Sequence, residues 1–164
     1  MTGILSIDFS TTNTGYSFHS PKTGEIIVGS VSGGKSKNYI ERTMLIAEQI
    51  GNIVIEHGLY SYFIAIEEPI ITMKTKSTMN LIRANGYFLG YMFTKFNMGY
   101  VDVPNSKWAS YNFIKGKRAE RKKQSIEILK QSGLVPDDKL NDDMADAYCI
   151  LLYICLLYTS DAAD

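Results

Sequence analysis

The sequence predicts a single α/β domain: a five-stranded mixed sheet, three strands in an antiparallel meander and two parallel strands beyond it, flanked by helices. Short apolar runs separated by turn residues fill the first thirty positions, as strands and tight turns do. From residue 38 onward, blocks with helical spacing alternate with further short apolar runs, the order of an α/β layer protein. A chain of 164 residues at 45% hydrophobic and 21% charged supports one core, near the common domain size of about 100–150 residues. No repeat, low-complexity tract or linker divides it.

Taken in order, Gly3–Phe9, Gly15–His19 and Glu25–Val31 read as strands, with Pro21–Gly24 as the turn of a hairpin between the last two. In Asn38–His57, Ile40, Met44, Leu45, Ile46, Ile50, Ile53 and Val54 recur mostly at helical spacing, and Gly58 stands where a helix would stop. Tyr62–Ile66 is a short apolar run of the kind buried on both faces of a sheet. A helix over Thr78–Phe96, a strand over Gly99–Val103, and helices over Ala119–Gln131 and Asn141–Ile154 complete the order.

Cys149 and Cys155 cannot build a disulfide framework or a metal site, so a reducing cytoplasm is the expected location. The longest apolar run, Ala147–Tyr158, is twelve residues, short of the roughly 20 a membrane helix needs. His19 and His57 are far apart and have no ligand cluster around them.

Seventeen basic and seventeen acidic side chains cancel, but unevenly along the chain. Residues 104–131 carry eight basic side chains against two acidic ones, and residues 132–164 carry one lysine against seven aspartates. A basic segment followed by an acidic one suggests phosphate contact beside a cation site. A solvated helix face followed by acidic helix-start residues would give the same pattern.

The carboxylates decide the chemistry. Asp8 lies in the first apolar strand, where a charge costs several kcal/mol unless compensated. Glu67 and Glu68 end another apolar strand, and Asp142, Asp143 and Asp146 open the last helix, two of them on one face. If the first and fourth strands are neighbours and that helix crosses them, four carboxylates converge and repel one another. Two hard divalent ions relieve the repulsion and serve in-line phosphodiester hydrolysis. Magnesium is the expected ion, with manganese the alternative. Alternation leaves Glu67 against Glu68 open, as helical spacing leaves Asp143 against Asp142. Helix-start acids are also favoured by the helix dipole.

The element order matches the ribonuclease H-like fold. Ile4–Asp8 with Thr14-Gly15-Tyr16, then Ile64–Glu67, Arg83-Ala-Asn-Gly86 and Asp143–Ala147 together resemble the RuvC family of Holliday junction resolvases, over Gly3 to about Ile154. The resemblance implies that Asp8, Glu67, Asp143 and Asp146 are metal-binding catalytic acids, with Glu68 and Asp142 as alternates. It implies DNA contact near the scissile phosphate by Lys107 and a lysine of Arg121-Lys-Lys123, Lys122 matching better than Lys123 because it stands two before Gln124. Lys117, Arg118 and Arg121 of the basic segment, and Lys74 and Lys76 of the loop after Glu68, are further candidate contacts. It implies a magnesium-dependent endonuclease that acts as a homodimer and makes paired symmetric nicks in branched DNA. The apolar side chains of Thr78–Phe96, Leu81, Ile82, Tyr87, Phe88, Tyr91 and Met92, are expected to supply part of the dimer interface. Phe9-Ser10-Thr11 after the first Asp and Ile70 three beyond Glu67 depart from the bacterial pattern and suggest a phage-type or divergent member.

Three other functions compete with this one. Asp8–Gly15 also resembles the phosphate loop of sugar kinases and actin-like ATPases, which need a second such domain. A related nuclease on other branched DNA would share every acid, and a non-catalytic nucleic-acid-binding module would bind metal without cleaving. Trp108 is expected to pack a helix on the sheet rather than stack on a base. Residues 155–164 resemble a translated sequencing adapter, which places the expected domain at 1–154.

Overall fold

A computed structural model describes residues 3–71 and 75–160. The strands are β1 (Ile4–Asp8), β2 (Asn13–His19), β3 (Ile26–Ser32), β4 (Phe63–Glu67) and β5 (Tyr100–Val103). They form one sheet in the order β3-β2-β1-β4-β5, antiparallel through β3-β2-β1 and parallel through β1-β4-β5. The expected mixed sheet is thus the observed one, and β1 and β4 are neighbours.

Alternation along β1 and β4 assigns the two faces of the sheet. Leu5, Ile7, Ile64 and Ile66 pack with Ile46, Ile50, Val54, Phe88 and Met92 from α1 (Tyr39–His57) and α2 (Lys76–Phe96). Ile4 and Ala65 point the other way, towards α3 (Asn105–Tyr111) and α5 (Asp142–Ser160), where Trp108, Cys149, Ile150 and Ile154 form a second core. Asp8 and Glu67 share the parity of Ile4 and Ala65, so both stand on this second face. The α4 helix (Arg118–Ser132) packs on α5 and closes a third cluster through Leu129, Val135, Ala145 and Tyr148.

Local chemistry sets the ends of these elements. Asn38 caps α1 by accepting from the Ile40 N–H at 2.9 Å, and Gly58 ends it at φ 72, a left-handed turn that glycine adopts without strain. Thr75 caps α2 by accepting from the Thr78 N–H, so the helix begins at Lys76, two residues before its expected start.

Three expectations are corrected. The chain between β5 and α4 holds a helix, α3, that the sequence reading missed, because seven residues are too few to establish a period. The last helix does not stop at Ile154 but continues to Ser160. Of the α2 side chains assigned to a dimer face, Phe88 and Met92 are fully buried in the chain's own core, and Leu81 and Tyr91 pack against it, whereas Tyr87 is exposed. No helix among the described residues is long and apolar enough to cross a membrane.

Candidate active site

Where α5 crosses the sheet, two small side chains permit the approach. Gly15 pairs with Asp8 across the β1-β2 ladder, and a Cβ at Gly15 would lie 1.9 Å from the Asp143 carbonyl oxygen. Only a residue without a side chain lets the first turn of α5 sit directly over β2 beside Asp8. The buried Ser6 hydroxyl lies 2.7 Å from the Ala147 carbonyl and 2.9 Å from that of Ser17, tying β1 and β2 to α5. Asn141 caps α5 by accepting from the Met144 N–H at 2.9 Å and donates to Ser30 Oγ on β3 at 3.1 Å. These contacts hold the acidic helix start against the carboxyl ends of β1 and β4.

A cleft of about 620 Å³ results, lined by Asp8, Glu67, Glu68, Asp142, Asp143 and Asp146, with Arg118, Arg121 and Lys122 on one side. Burial pushes the Asp8 carboxyl well above the usual carboxylate range, and Glu67, Asp146, Asp143 and Asp142 add repulsion. Asp8 is only partly buried and meets the cleft. Burial likewise raises Asp146 to about 6, opposed by a hydrogen bond from Ser125 and reinforced by Glu67 and Asp142. Asp143 is raised by burial and by Asp142. Asp142 is the exception: it is paired with Lys122, and that hydrogen bond holds it below its ordinary value.

The members of each pair left open differ in their surroundings, although all four line the cleft. Glu67 is half-buried on the Asp8 face and raises the Asp8 carboxyl, while Glu68 is exposed, on the other parity of the strand, and its N–H bonds the Val103 carbonyl. Lys122 pairs directly with Asp142, while on Asp143 its charge acts without an ion pair and opposes the rise. Among the basic candidates, Arg118, Arg121 and Lys122 reach the cleft lining. Lys76, Lys107, Lys117 and Lys123 are exposed and do not line it, and Lys74 lies outside the described residues.

Glu67 has partners that sequence reasoning missed. Asn105 Nδ2 donates to Glu67 Oε1, and Trp108 Nε1 donates to the same oxygen at 3.2 Å. Arg121 donates to Asn105 Oδ1. Asn105 and Trp108 stand three apart on α3, so one face of that helix presents both, and Trp108 packs in the core as expected. Ser125, fully buried and hydrogen-bonded to Asp146, was also missed. Only the polar positions of α3 and α4 hinted at these partners, and polar side chains on short helices ordinarily face water.

Four carboxylates of this kind fit a hard divalent ion. Their donors are all oxygens, burial disfavours the charged state of Asp8, Asp143 and Asp146, and among the described residues Asp8 and Asp143 have no cationic hydrogen-bond partner. Among the described residues no group of three His, Cys, Asp or Glu side chains is placed to hold an ion, so the carboxylates would have to draw together around one.

A family model described as Lactococcus phage M3 protein matches residues 1–156. The chain belongs to that family. No curated protein matches this Lactococcus phage M3 family member in sequence. Among solved structures, its fold is similar to Thermus thermophilus RuvC in complex with Holliday junction substrate, with a TM-score of 0.67 at 16% identity, covering 93% of this chain and 92% of that one. Thermus thermophilus RuvC is matched again in a second structure at 0.66 and 16% identity, covering 97% and 96%. The Fowlpox virus resolvase, in complex with substrate Holliday junction DNA, matches at 0.53 and 17% identity over 99% of both chains. The expected RuvC-type, ribonuclease H-like fold is therefore the one this phage-family chain adopts.

Proposed function

We propose that this protein is a divalent-metal-dependent endonuclease that resolves four-way DNA junctions by paired symmetric nicks. One observation carries the reading: three elements bring Asp8, Glu67, Asp143 and Asp146 into one cleft, and Arg118, Arg121 and Lys122 line its side. An all-acid cleft without cations would repel a phosphodiester, and a basic groove without acids would bind DNA and leave it intact. The fold shared with two resolvases, each solved with Holliday junction DNA, supports the substrate class.

Asp8, Glu67, Asp143 and Asp146 would hold the metal, with magnesium the proposed ion, two per site, and manganese able to substitute. The bound ions would activate the attacking water and stabilise the leaving 3′ oxygen. Arg118 and Arg121 would orient the scissile strand through its phosphates, and Lys122 would leave Asp142 to meet developing charge on the phosphate. Asn105 and Trp108 both donate to Glu67 Oε1 and would fix that carboxylate, leaving Oε2 for ligation. Lys76, Lys107, Lys117 and Lys123 would contact the backbone of the junction arms away from the cut. Symmetric nicking of a two-fold junction calls for two such sites, so a homodimer is part of the proposal.

The decisive substrate experiment compares four-way junction, fork, flap and linear duplex with magnesium present. Paired nicks on opposing strands of the junction, with 5′-phosphate and 3′-hydroxyl ends, are expected. Faster cleavage of the fork or flap would replace the junction as substrate, and metal binding without any cleavage would leave a DNA-binding module.

A further inference from the structure

Glu67 and Arg121 line the same cleft with opposite charges, yet Arg121 is in neither of the two ion pairs among the described residues. Asn105 stands between them. We propose that Asn105 is an insulating bridge: it keeps Arg121 off Glu67, so that the glutamate stays available to a divalent cation and the arginine to a DNA phosphate. This inference rests on the nuclease reading above.

The argument begins with donors and acceptors. A guanidinium only donates and a carboxylate only accepts, so side by side they form a bidentate pair. Such a pair would consume both oxygens of Glu67 and spend the donors of Arg121 inside the protein. A primary amide has one end of each kind. The Asn105 oxygen accepts from Arg121 Nη2, and its nitrogen donates to Glu67 Oε1. Turning the amide over would set oxygen against carboxylate and N–H against guanidinium, so the two neighbours dictate its orientation.

The surroundings reinforce the bridge. Trp108 Nε1 donates to the same Glu67 oxygen, so both protein donors crowd Oε1 and neither takes Oε2. Arg121 uses one nitrogen on Asn105, and its other donors are not spent on Glu67. Asn105 is the first residue of α3 and follows Pro104, whose φ of −61° and whose carbonyl, accepting from the Lys107 N–H at 2.9 Å, fix the helix start. Asn105 is half-buried and so is Arg121, which limits the competition of water for these bonds. Asn105 is thus a positioning residue that acts through Glu67 and Arg121, not a group that touches substrate.

The test is a double-mutant cycle on the full chain, read as magnesium affinity from the metal-induced rise in Tm. Asn105→Ala is expected to weaken magnesium binding about tenfold, the order seen when a partner of a metal ligand is lost. Arg121→Met should then restore binding in the Asn105→Ala background by about fivefold more than it improves binding in the wild type. A merely structural role for Asn105 would lower the metal-free Tm without that interaction. If Asn105→Ala does not fold, Asn105→Leu, similar in volume and without a polar atom, runs the same cycle. Equal effects of Arg121→Met in the two backgrounds overturn the bridge. A wild-type Tm that ignores magnesium overturns the nuclease reading itself, and the two failures are distinct.

Discussion

The two faces of the sheet are made by the same strands and do opposite things. Towards α1 and α2, Leu5, Ile7, Ile64 and Ile66 meet a closed apolar core. Towards α3, α4 and α5, the alternate positions of the same strands end in Asp8 and Glu67 at a cleft shared with Asp142, Asp143 and Asp146. The first face contributes stability alone, whereas the second adds repelling carboxylates at the edge of its own apolar core. A period of two lets β1 serve both, because a single-residue slip in register would exchange them. Stability and function are therefore expected to respond in opposite directions to substitutions on the two faces.

The largest effect on stability belongs to the apolar face. Ile50, fully buried beneath the sheet, leaves a cavity when replaced by alanine, so Ile50→Ala should destabilise by about 2–5 kcal/mol in chemical unfolding. Nicking per folded molecule should be retained, since no acid moves. A matching loss of specific activity would show that the faces are not separable.

The next effect is a pH dependence of the opposite face. Asp146 lies near 6 in the folded chain against its ordinary 3.8, so the native state holds the proton more tightly. Its contribution is fully favourable below about pH 4, declines as pH rises through that window, and has vanished above about pH 6. Two units correspond to about 3 kcal/mol at most. Metal-free protein should therefore melt lower at pH 7 than at pH 5, and Asp146→Asn should flatten the difference. Magnesium should reverse it at pH 7 by neutralising the acids. A wild-type profile as flat as that of Asp146→Asn would count against the buried, uncompensated acid.

The smallest effect is at Lys122. Its partly exposed pair with Asp142 is worth no more than about 1 kcal/mol to folding. Lys122→Met should leave Tm nearly unchanged while weakening junction cleavage, and a large loss of stability would make the lysine a strut rather than a phosphate contact.

How much of this was legible in the sequence differs between the two faces in the same way. The short apolar runs of β1 and β4 and the helical spacing of α1 are local patterns, and their order named the sheet. Asp8 was visible as a charge in an apolar strand, and the α5 aspartates as a cluster. Whether Glu67 or Glu68 joins Asp8 required knowing which face α5 covers, and that follows from tertiary packing. Asn105 and Ser125 gave no distinguishing signal, because a short polar side chain on a helix looks alike whether it meets water or a buried carboxylate. Gly15 falls within a motif, but its reason, the Asp143 carbonyl that a Cβ would strike, lies 128 residues away. The end of α5 was misplaced because residues 155–164 resemble a translated adapter, while the backbone stays helical to Ser160.

Strand-resolved nicking of a synthetic four-way junction, comparing wild type with Asp8→Asn in magnesium and in chelator, tests the central claim most directly. Wild type should nick opposing strands only with magnesium, and Asp8→Asn should lose at least about a thousandfold in rate while its metal-free Tm rises through relief of repulsion. Equal nicking by the two proteins, or nicking undiminished in chelator, would contradict the account.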